Sequence, residues 1–460
     1  MTTKNEELAN SSEPKQKPSF VMNKISSLAF IVRAFRHRNY RLFFIGQIIS
    51  LLGSWVTQIA TIWLTWELTH SALMLGVVGF AGQIPAFLLS PVAGVYVDRW
   101  PRHRILMITQ SLAMVQSFAL AFLALTGLIN IWSIIVLMIC QGFINAFDMP
   151  ARQAFVVEMV EDKEDLGNAI ALNSSMFNVS RAIGTAVGGI ILALFGAGWC
   201  FLLDGVSYIA VLVSLAMMVV PPFLKKEHAN PWLQLKEGFK YTVGFPPIRA
   251  LLLLVAGMSL IGFPYSVLMP VIATKVLHGA SGTYATLATF FALGALTGAL
   301  ILAARKSVRG LGRMIPYCTM SFGVALIIFS HSVYIWLSLG ALFIMGFAMM
   351  TQNAASNTIL QTIVDPEKRG RVMSFYIMAF MGMMPLGSLW GGAVADRIGA
   401  QNTLLIWGIG CLALAAWFTR SLPKLAEHIR PIYQEMGIIP EVAAGLENAA
   451  ELTGPPERMN

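Results

Sequence analysis

Charged residues punctuate this chain and leave long apolar runs between them. No Asp, Glu, Lys or Arg occurs in 42–66, 68–97, 105–147, 205–224, 250–274, 276–304, 314–364, 372–395 or 398–419. A bilayer core about 30 Å thick takes about 20 residues of helix, so each run can span, and 105–147 and 314–364 can each span twice. Their turns are expected at Thr126-Gly127 to Asn130 and at Ser330-His331-Ser332. A further run, about 168–195, is interrupted only by Arg181 and brings the expected number of spans to twelve. No alternating barrel pattern is visible. Backbone groups in hydrocarbon must be bonded internally, so the spans are expected to be helices.

Composition agrees. Hydrophobic residues make up 56% of the chain and charged residues 12%, with a mean hydropathy of +0.68; a water-soluble domain carries about 25% charge. That excludes a soluble enzyme, a disordered chain and a secreted disulfide scaffold. The net charge of +9 does not require nucleic acid, because cytoplasmic loops of membrane proteins collect Lys and Arg. With the N-terminus inside, all of the 32 Lys and Arg except Arg181, Lys275 and Arg397 lie in the tails or on inner loops. Both termini are therefore expected in the cytoplasm, and the chain in the inner membrane. The first residues are polar and mixed in charge, unlike a cleavable secretory signal. Cys140, Cys200, Cys318 and Cys411 lie far apart inside apolar runs without metal-ligand spacing, so they are expected to be small buried hydrophobes. No cofactor is expected.

The longest inner loop, 221–248, divides the spans six and six. The predicted organisation is a tail (1–40, with 1–24 disordered), a bundle (41–220), a linker (221–248), a second bundle (249–421) and a polar tail (422–460) with room for one short surface helix. The halves echo each other at an offset of 203: Asp162, Glu164, Gly167, Gly184, Gly188, Gly189, Gly196 and Ala197 meet Asp365, Glu367, Gly370, Gly387, Gly391, Gly392, Gly399 and Ala400. Shared greasiness does not explain glycines at one offset over 40 residues. A parallel six-helix duplication does, and such repeats belong to transporters that rock two halves about a central site.

The loop after the second span reads Gly94-Val-Tyr-Val-Asp98-Arg99-Trp-Pro101-Arg102-His103-Arg104. It resembles the loop motif of the major facilitator superfamily. The resemblance implies a gate in which Gly94 lets helices approach closely while Asp98, Arg99 and Arg102 hold the cytoplasmic side shut; a plain basic inner loop is the simpler reading. The loop after the eighth span keeps Arg305-Lys306 and Arg309 but has no Asp. The fifth span reads Arg181-Ala-Ile-Gly184-Thr185-Ala-Val-Gly188-Gly189, similar to the superfamily's antiporter motif with Thr185 in place of proline. Either tight helix packing alone or a seal against leak accounts for its glycines. Together with Pro150-Ala151-Arg152-Gln153, Leu166-Gly167-Asn168-Ala169 and Asn39-Tyr40-Arg41-Leu42-Phe43, the chain resembles an enterobactin-exporter-like and macrolide-efflux-like branch over about residues 35–420. That likeness implies export driven by the proton gradient, with protons, a small molecule and the lipid bilayer as partners.

Periodicity places a passage in the first half. Gln47, Ser50, Ser54, Gln58, Thr61 and Thr65 fall within about 80° of arc on the first span at 100° per residue. Gln141, Asn145 and Asp148 fall within about 60° on the fourth, as do Ser174, Asn178, Arg181 and Thr185 on the fifth. Polar stripes in hydrocarbon need water or partners, so they line a lumen or bond helix to helix. Arg181 is counted about 16 Å deep. It either meets an anionic group of the substrate, a carboxylate or a catecholate, or braces its helix through a buried partner. No carboxylate lies at that depth: Glu67 sits at the outer end of the first span, Asp204 about 8 Å below the outer face of the sixth, and Asp148 low on the fourth. Asp148 and Glu67 are the candidates for the proton, although a structural role suits each better.

Met345, Met349, Met350, Met378, Met381, Met383 and Met384 cluster in the second half and either fill helix packing or adapt to a varied apolar ligand. Trp55, Trp63, Trp66 and Trp132 suit interfacial anchoring or a cavity wall. The expected protein is an all-helical exporter, a membrane enzyme being disfavoured by the lack of any His-Glu-x-x-His, nucleophile elbow or P-loop. A siderophore is the first expectation for its cargo, an amphiphilic drug such as a macrolide the second, and uptake of an anionic metabolite the third. A monomer is expected.

Overall fold

The computed structural model describes residues 33–160, 163–220, 240–305, 308, 310–365 and 368–435. The expected N-terminal tail up to 32, the linker over 221–239 and the chain from 436 onward lie outside the described residues. Twelve helices are long and apolar enough to cross a bilayer. They are α1 (Arg38–Thr69), α2 (Ala72–Arg99), α3 (Arg102–Leu125), α4 (Ile131–Met159), α5 (Lys163–Phe195), α6 (Ala197–Ala216), α7 (Pro246–Val276), α8 (Ser281–Ala303), α9 (Leu311–His331), α10 (Ile335–Ile363), α11 (Arg369–Ile398) and α12 (Ala400–Glu435). No strand occurs among the described residues. The side holding Arg38 and Glu435 is here the terminal face, and the side holding Thr69 and Ala400 the far face.

Both predicted turns form. Asn130 closes the first with a capping box: its side chain accepts from Ser133 N at 3.0 Å and Ser133 Oγ accepts from Asn130 N at 3.1 Å, satisfying donors that a helix start leaves open. Helix α12 runs past the expected end at 421, because Leu422, Leu425, Ile429 and Ile432 continue an apolar stripe onto the core. Helix α7 is irregular. Its turns widen to i→i+5 at Phe263 N to Met258 O and at Leu277 N to Ile272 O, both 3.0 Å, on either side of Pro264, which has no N–H to give.

The duplication is visible in the backbone. Gly196 and Gly399, one offset apart, both adopt positive φ (84° and 87°) where one span turns into the next, a conformation side chains resist. A Cβ on Gly184 of α5 would lie 2.8 Å from Leu52 O of α1, and one on Gly387 of α11 would strike Leu260 O of α7. Gly189 of α5 presses on Ala285 of α8, and Gly392 of α11 on Ala72 and Gly76 of α2, where an added Cβ would lie 3.0 Å from the Gly76 Cα. The last two contacts cross from one bundle to the other as equivalent pairs. Gly188 and Gly391 break the equivalence, meeting Val56 of α1 and Trp407 of α12.

The bundles close on each other in the far half. Ser71 Oγ donates to Asp396 Oδ1 at 3.4 Å, Trp63 stacks on Tyr284 at 5.9 Å, and the Lys275 ammonium lies 5.4 Å from the Trp66 ring. Among the described residues, no hydrogen bond, ion pair or ring contact joins the bundles at the terminal face. The ion pairs among the described residues there each lie inside one bundle: Arg33 and His37 both reach Asp165, at 2.6 and 3.1 Å, Arg102 holds Glu158, and Lys368 lies 3.2 Å from Asp365.

Candidate functional site

A cavity of about 140 Å³ lies between the bundles, with Trp55, Gln58, Arg181 and Thr185 on one side and α7, α8, α10 and α11 on the other. The second wall is aromatic and thioether in character: Phe263, Tyr265, Tyr284, Phe291, Met349 and Met384. Tyr265 and Phe291 pack with ring centroids 4.9 Å apart, and Phe263 packs on Phe380 at 5.3 Å. The irregular stretch of α7 supplies Phe263, Tyr265, Ser266 and Met269 to this wall.

Arg181 is the cation of the cavity. It stands nine residues into the apolar stretch Leu172–Phe195, about 14 Å along the helix. Its Nη2 donates to Asn178 Oδ1 at 3.4 Å and its guanidinium lies 5.9 Å from the Trp55 ring. The buried Nε has no hydrogen-bond partner, and no carboxylate pairs with Arg181 among the described residues. The brace expected as one alternative therefore consists of one long bond and a ring contact. A cation so placed in hydrocarbon is costly, and an anion entering the cavity would meet open donors.

The other residues expected to bind substrate separate. Gln58 lines the cavity. Ser54 turns away from it, donating to Ser50 O at 3.1 Å and standing 3.4 Å from the Tyr208 hydroxyl of α6. Gln141 donates to Asn145 Oδ1 at 3.1 Å, Gln47 is buried, and none of these three is on the wall. Asn178 is not on the wall either but accepts from Arg181 at 3.4 Å. The 80° stripe on α1 is thus shared between a neighbouring helix and the cavity, and the cavity lies between the bundles rather than within the first one. Thr61 and Thr65 bond back to the carbonyls of Thr57 and Thr61, each at 2.8 Å.

The carboxylates are occupied in different ways. Asp148 is buried and takes Thr109 Oγ1 at 2.9 Å, Gln110 Nε2 at 2.7 Å and the guanidinium of Arg152. Asp204 is buried between α1, α3 and α6 and takes Ser117 Oγ at 2.7 Å, while its Oδ1 has no hydrogen-bond partner among the described residues. Gly53 leaves the room it needs, since a Cβ there would lie 2.8 Å from that oxygen. Glu67 is exposed at the far end of α1.

The expected gate loop is not engaged in this conformation. A Cβ on Gly94 would meet nothing within 4 Å, so no described helix presses on it. Arg99 is exposed, and the side chain of Asp98 lies outside the described residues. Gly184, Gly188 and Gly189 do pack tightly. Cys140 is exposed on α4 while the other three cysteines are buried, because it lies on the outer side of its helix. Trp132 is exposed at the start of α4.

These features define a multi-pass membrane transporter of two equivalent bundles. The profile described as "Transmembrane secretion effector", a family of the major facilitator superfamily, matches residues 29–448, and the chain belongs to that family. It is 30% identical over 389 residues to the staphyloferrin A transporter of Staphylococcus aureus, covering 83% of this chain and 96% of that one. It is 23% identical to macrolide efflux protein A of Streptococcus pyogenes (85% and 99% covered) and 24% identical to the enterobactin exporter of Escherichia coli O1:K1 (83% and 90%). Among solved structures, a bacterial homolog of the human lysosomal transporter Spinster superposes with a TM-score of 0.65 at 16% identity, covering 85% of this chain and 98% of that one.

Proposed function

We propose that this protein exports a small organic anion of the siderophore class across the inner membrane, by alternating access and at the expense of the proton gradient. The observation that carries the reading is Arg181: a cation deep in the membrane, without a carboxylate partner among the described residues, on the wall of the cavity between the bundles. A carboxylate or catecholate supplies the missing acceptors, and Trp55, Tyr265 and Phe291 supply apolar area. The staphyloferrin A and enterobactin relatives support the same class of cargo.

With the terminal face in the cytoplasm, as the positive charge implies, the bundles are closed toward the outside and the cavity loads from within. At about 140 Å³ it is smaller than the roughly 300–1,000 Å³ of drug-sized sites, so cargo must part the bundles to enter. Gln58 and Asn178 orient the anion on Arg181, while Gln47, Ser54, Gln141 and Asn145 keep the helices behind it in register. For the proton, Asp148 and Glu67 remain the candidates: a proton on Asp148 would release Arg152, and Glu67 faces the side from which protons come. Gly94, Asp98, Arg99 and Arg102 would engage the second bundle when the terminal face closes.

The test is transport. A strain lacking the protein should retain siderophore and secrete less, and proteoliposomes should show counterflow that depends on a pH gradient. Loss of uptake in that strain, with no retention, would reverse the direction. The aromatic and methionine wall also suits an amphiphilic drug; counterflow of a macrolide without competition by a siderophore would favour that cargo.

A further inference from the structure

A second cavity, away from the central one, is larger than it. A groove of about 610 Å³ lies on the outside of the first bundle at the terminal face, walled by the end of α2, by α3 and by α4. Tyr96, Trp100 and Arg104 line its mouth, and Ile108, Leu112 and Phe143 its length. Those last three are 56%, 51% and 50% exposed on helices that cross the bilayer, so hydrocarbon is their solvent. From Arg104 to Leu112 the α3 wall is about 12 Å long, which takes the upper part of an acyl chain.

The charges at the mouth are sorted. Arg102 is tied to Glu158, and the His103 ring is bonded to Leu215 O at 2.8 Å. Arg99 and Arg104 are exposed and have no ion-pair partner among the described residues. Tyr96 and Trp100, which line the groove with Arg104, pack edge to face at 5.9 Å and are the residue types that settle at headgroup level. An apolar slot in the hydrocarbon, an aromatic collar at the interface, the Arg104 guanidinium on its wall and a second exposed arginine, Arg99, next to Trp100 in the chain match one molecule in shape and charge. We propose that this groove is a binding site for an anionic phospholipid of the leaflet at the terminal face, its chain between α3 and α4 and its phosphate on Arg99 and Arg104. A zwitterionic lipid would bring its own cation to the two arginines and lose that advantage.

The site bears on the rest of the bundle. Thr109 lines the groove and donates to Asp148, so an occupant stiffens the α3–α4 contact that holds the Asp148–Arg152 pair. It also engages Arg99, which belongs to the loop expected to meet the second bundle. The proposal does not depend on what the central cavity carries.

The experiment uses the full chain in vesicles containing brominated phosphatidylglycerol or brominated phosphatidylcholine at graded mole fraction. The fluorescence that disappears on Trp100→Phe isolates one indole at the groove mouth, and its quenching reads local lipid. One basic side chain near a membrane surface contributes enough to raise local anionic lipid about fivefold, and two about 25-fold. Phosphatidylglycerol should therefore quench at a mole fraction lower by about that factor, and Arg99→Gln with Arg104→Gln should remove the preference. Ile108→Trp with Trp100 retained should fill the slot and lower quenching by phosphatidylglycerol with both arginines intact. Equal quenching by the two lipids, or a preference that survives the double arginine variant, would overturn the proposal, and would leave the Arg181 reading untouched.

Discussion

Replacing Arg181 tests the central cavity most directly. The guanidinium has one long side-chain bond, to Asn178 at 3.4 Å, and a ring contact with Trp55, so Arg181→Gln breaks little of the resting structure. With cargo bound, the same change removes a charge-assisted pair in a largely desolvated site. Truncating one partner of such a pair costs about 2–5 kcal/mol; the incomplete burial of Arg181 argues for the lower half of that range. At about 1.4 kcal/mol per tenfold, the affinity for an anionic siderophore should fall roughly 30- to 300-fold. Arg181→Lys should lose less, because it keeps the charge and gives up only the planar fork. The assay is counterflow in proteoliposomes with the siderophore and with its esterified, neutral form. Arg181→Gln should spare transport of the ester. An unchanged siderophore affinity in a variant that retains its thermal stability would refute the anion site, and equal losses for both forms would assign Arg181 to helix bracing.

Three further outcomes follow from the packing. A Cβ on Gly392 would lie 2.5 Å from Ala72 O and 3.0 Å from the Gly76 Cα, backbone that cannot step aside, so Gly392→Ala should disfavour the closed far face by about 1–3 kcal/mol; disulfide cross-linking between cysteines placed at Ser71 and Asp396 should drop accordingly, and an unchanged yield would contradict the seam. Asp148→Asn leaves Arg152 without its charge partner and should lower stability by about 3 kcal/mol, whereas adding Arg152→Gln should recover part of the loss in thermal unfolding; a harmless single variant would show the pair to be dispensable. Asp204→Ala strands the Ser117 hydroxyl, at a cost of about 1–3 kcal/mol, while Asp204→Asn keeps an acceptor for it and should unfold nearer to the parent; equal melting of the two variants would sink that account.

The twelve spans, both turns and the duplication were legible in the sequence, because hydrocarbon excludes charge and each crossing therefore has to be written as an unbroken apolar run. The glycines were legible for a related reason: a close approach demands the smallest residue, so Gly184, Gly189, Gly387 and Gly392 stand out at one offset. Which partner each meets was not, since Gly189 and Gly188 are adjacent in the chain yet face Ala285 of the other bundle and Val56 of their own. Arg181 was visible as the one charge near mid-depth. Its company was hidden: Phe263, Tyr265, Tyr284 and Phe291 are apolar residues among many, and only the crossing of α7 and α8 over the first bundle makes them a wall. The polar stripe of α1 left two readings open for the same reason. Periodicity gives the direction in which Ser54 and Gln58 point, but which direction holds a helix and which a cavity is decided by how six neighbours pack, and a one-dimensional pattern contains no record of that.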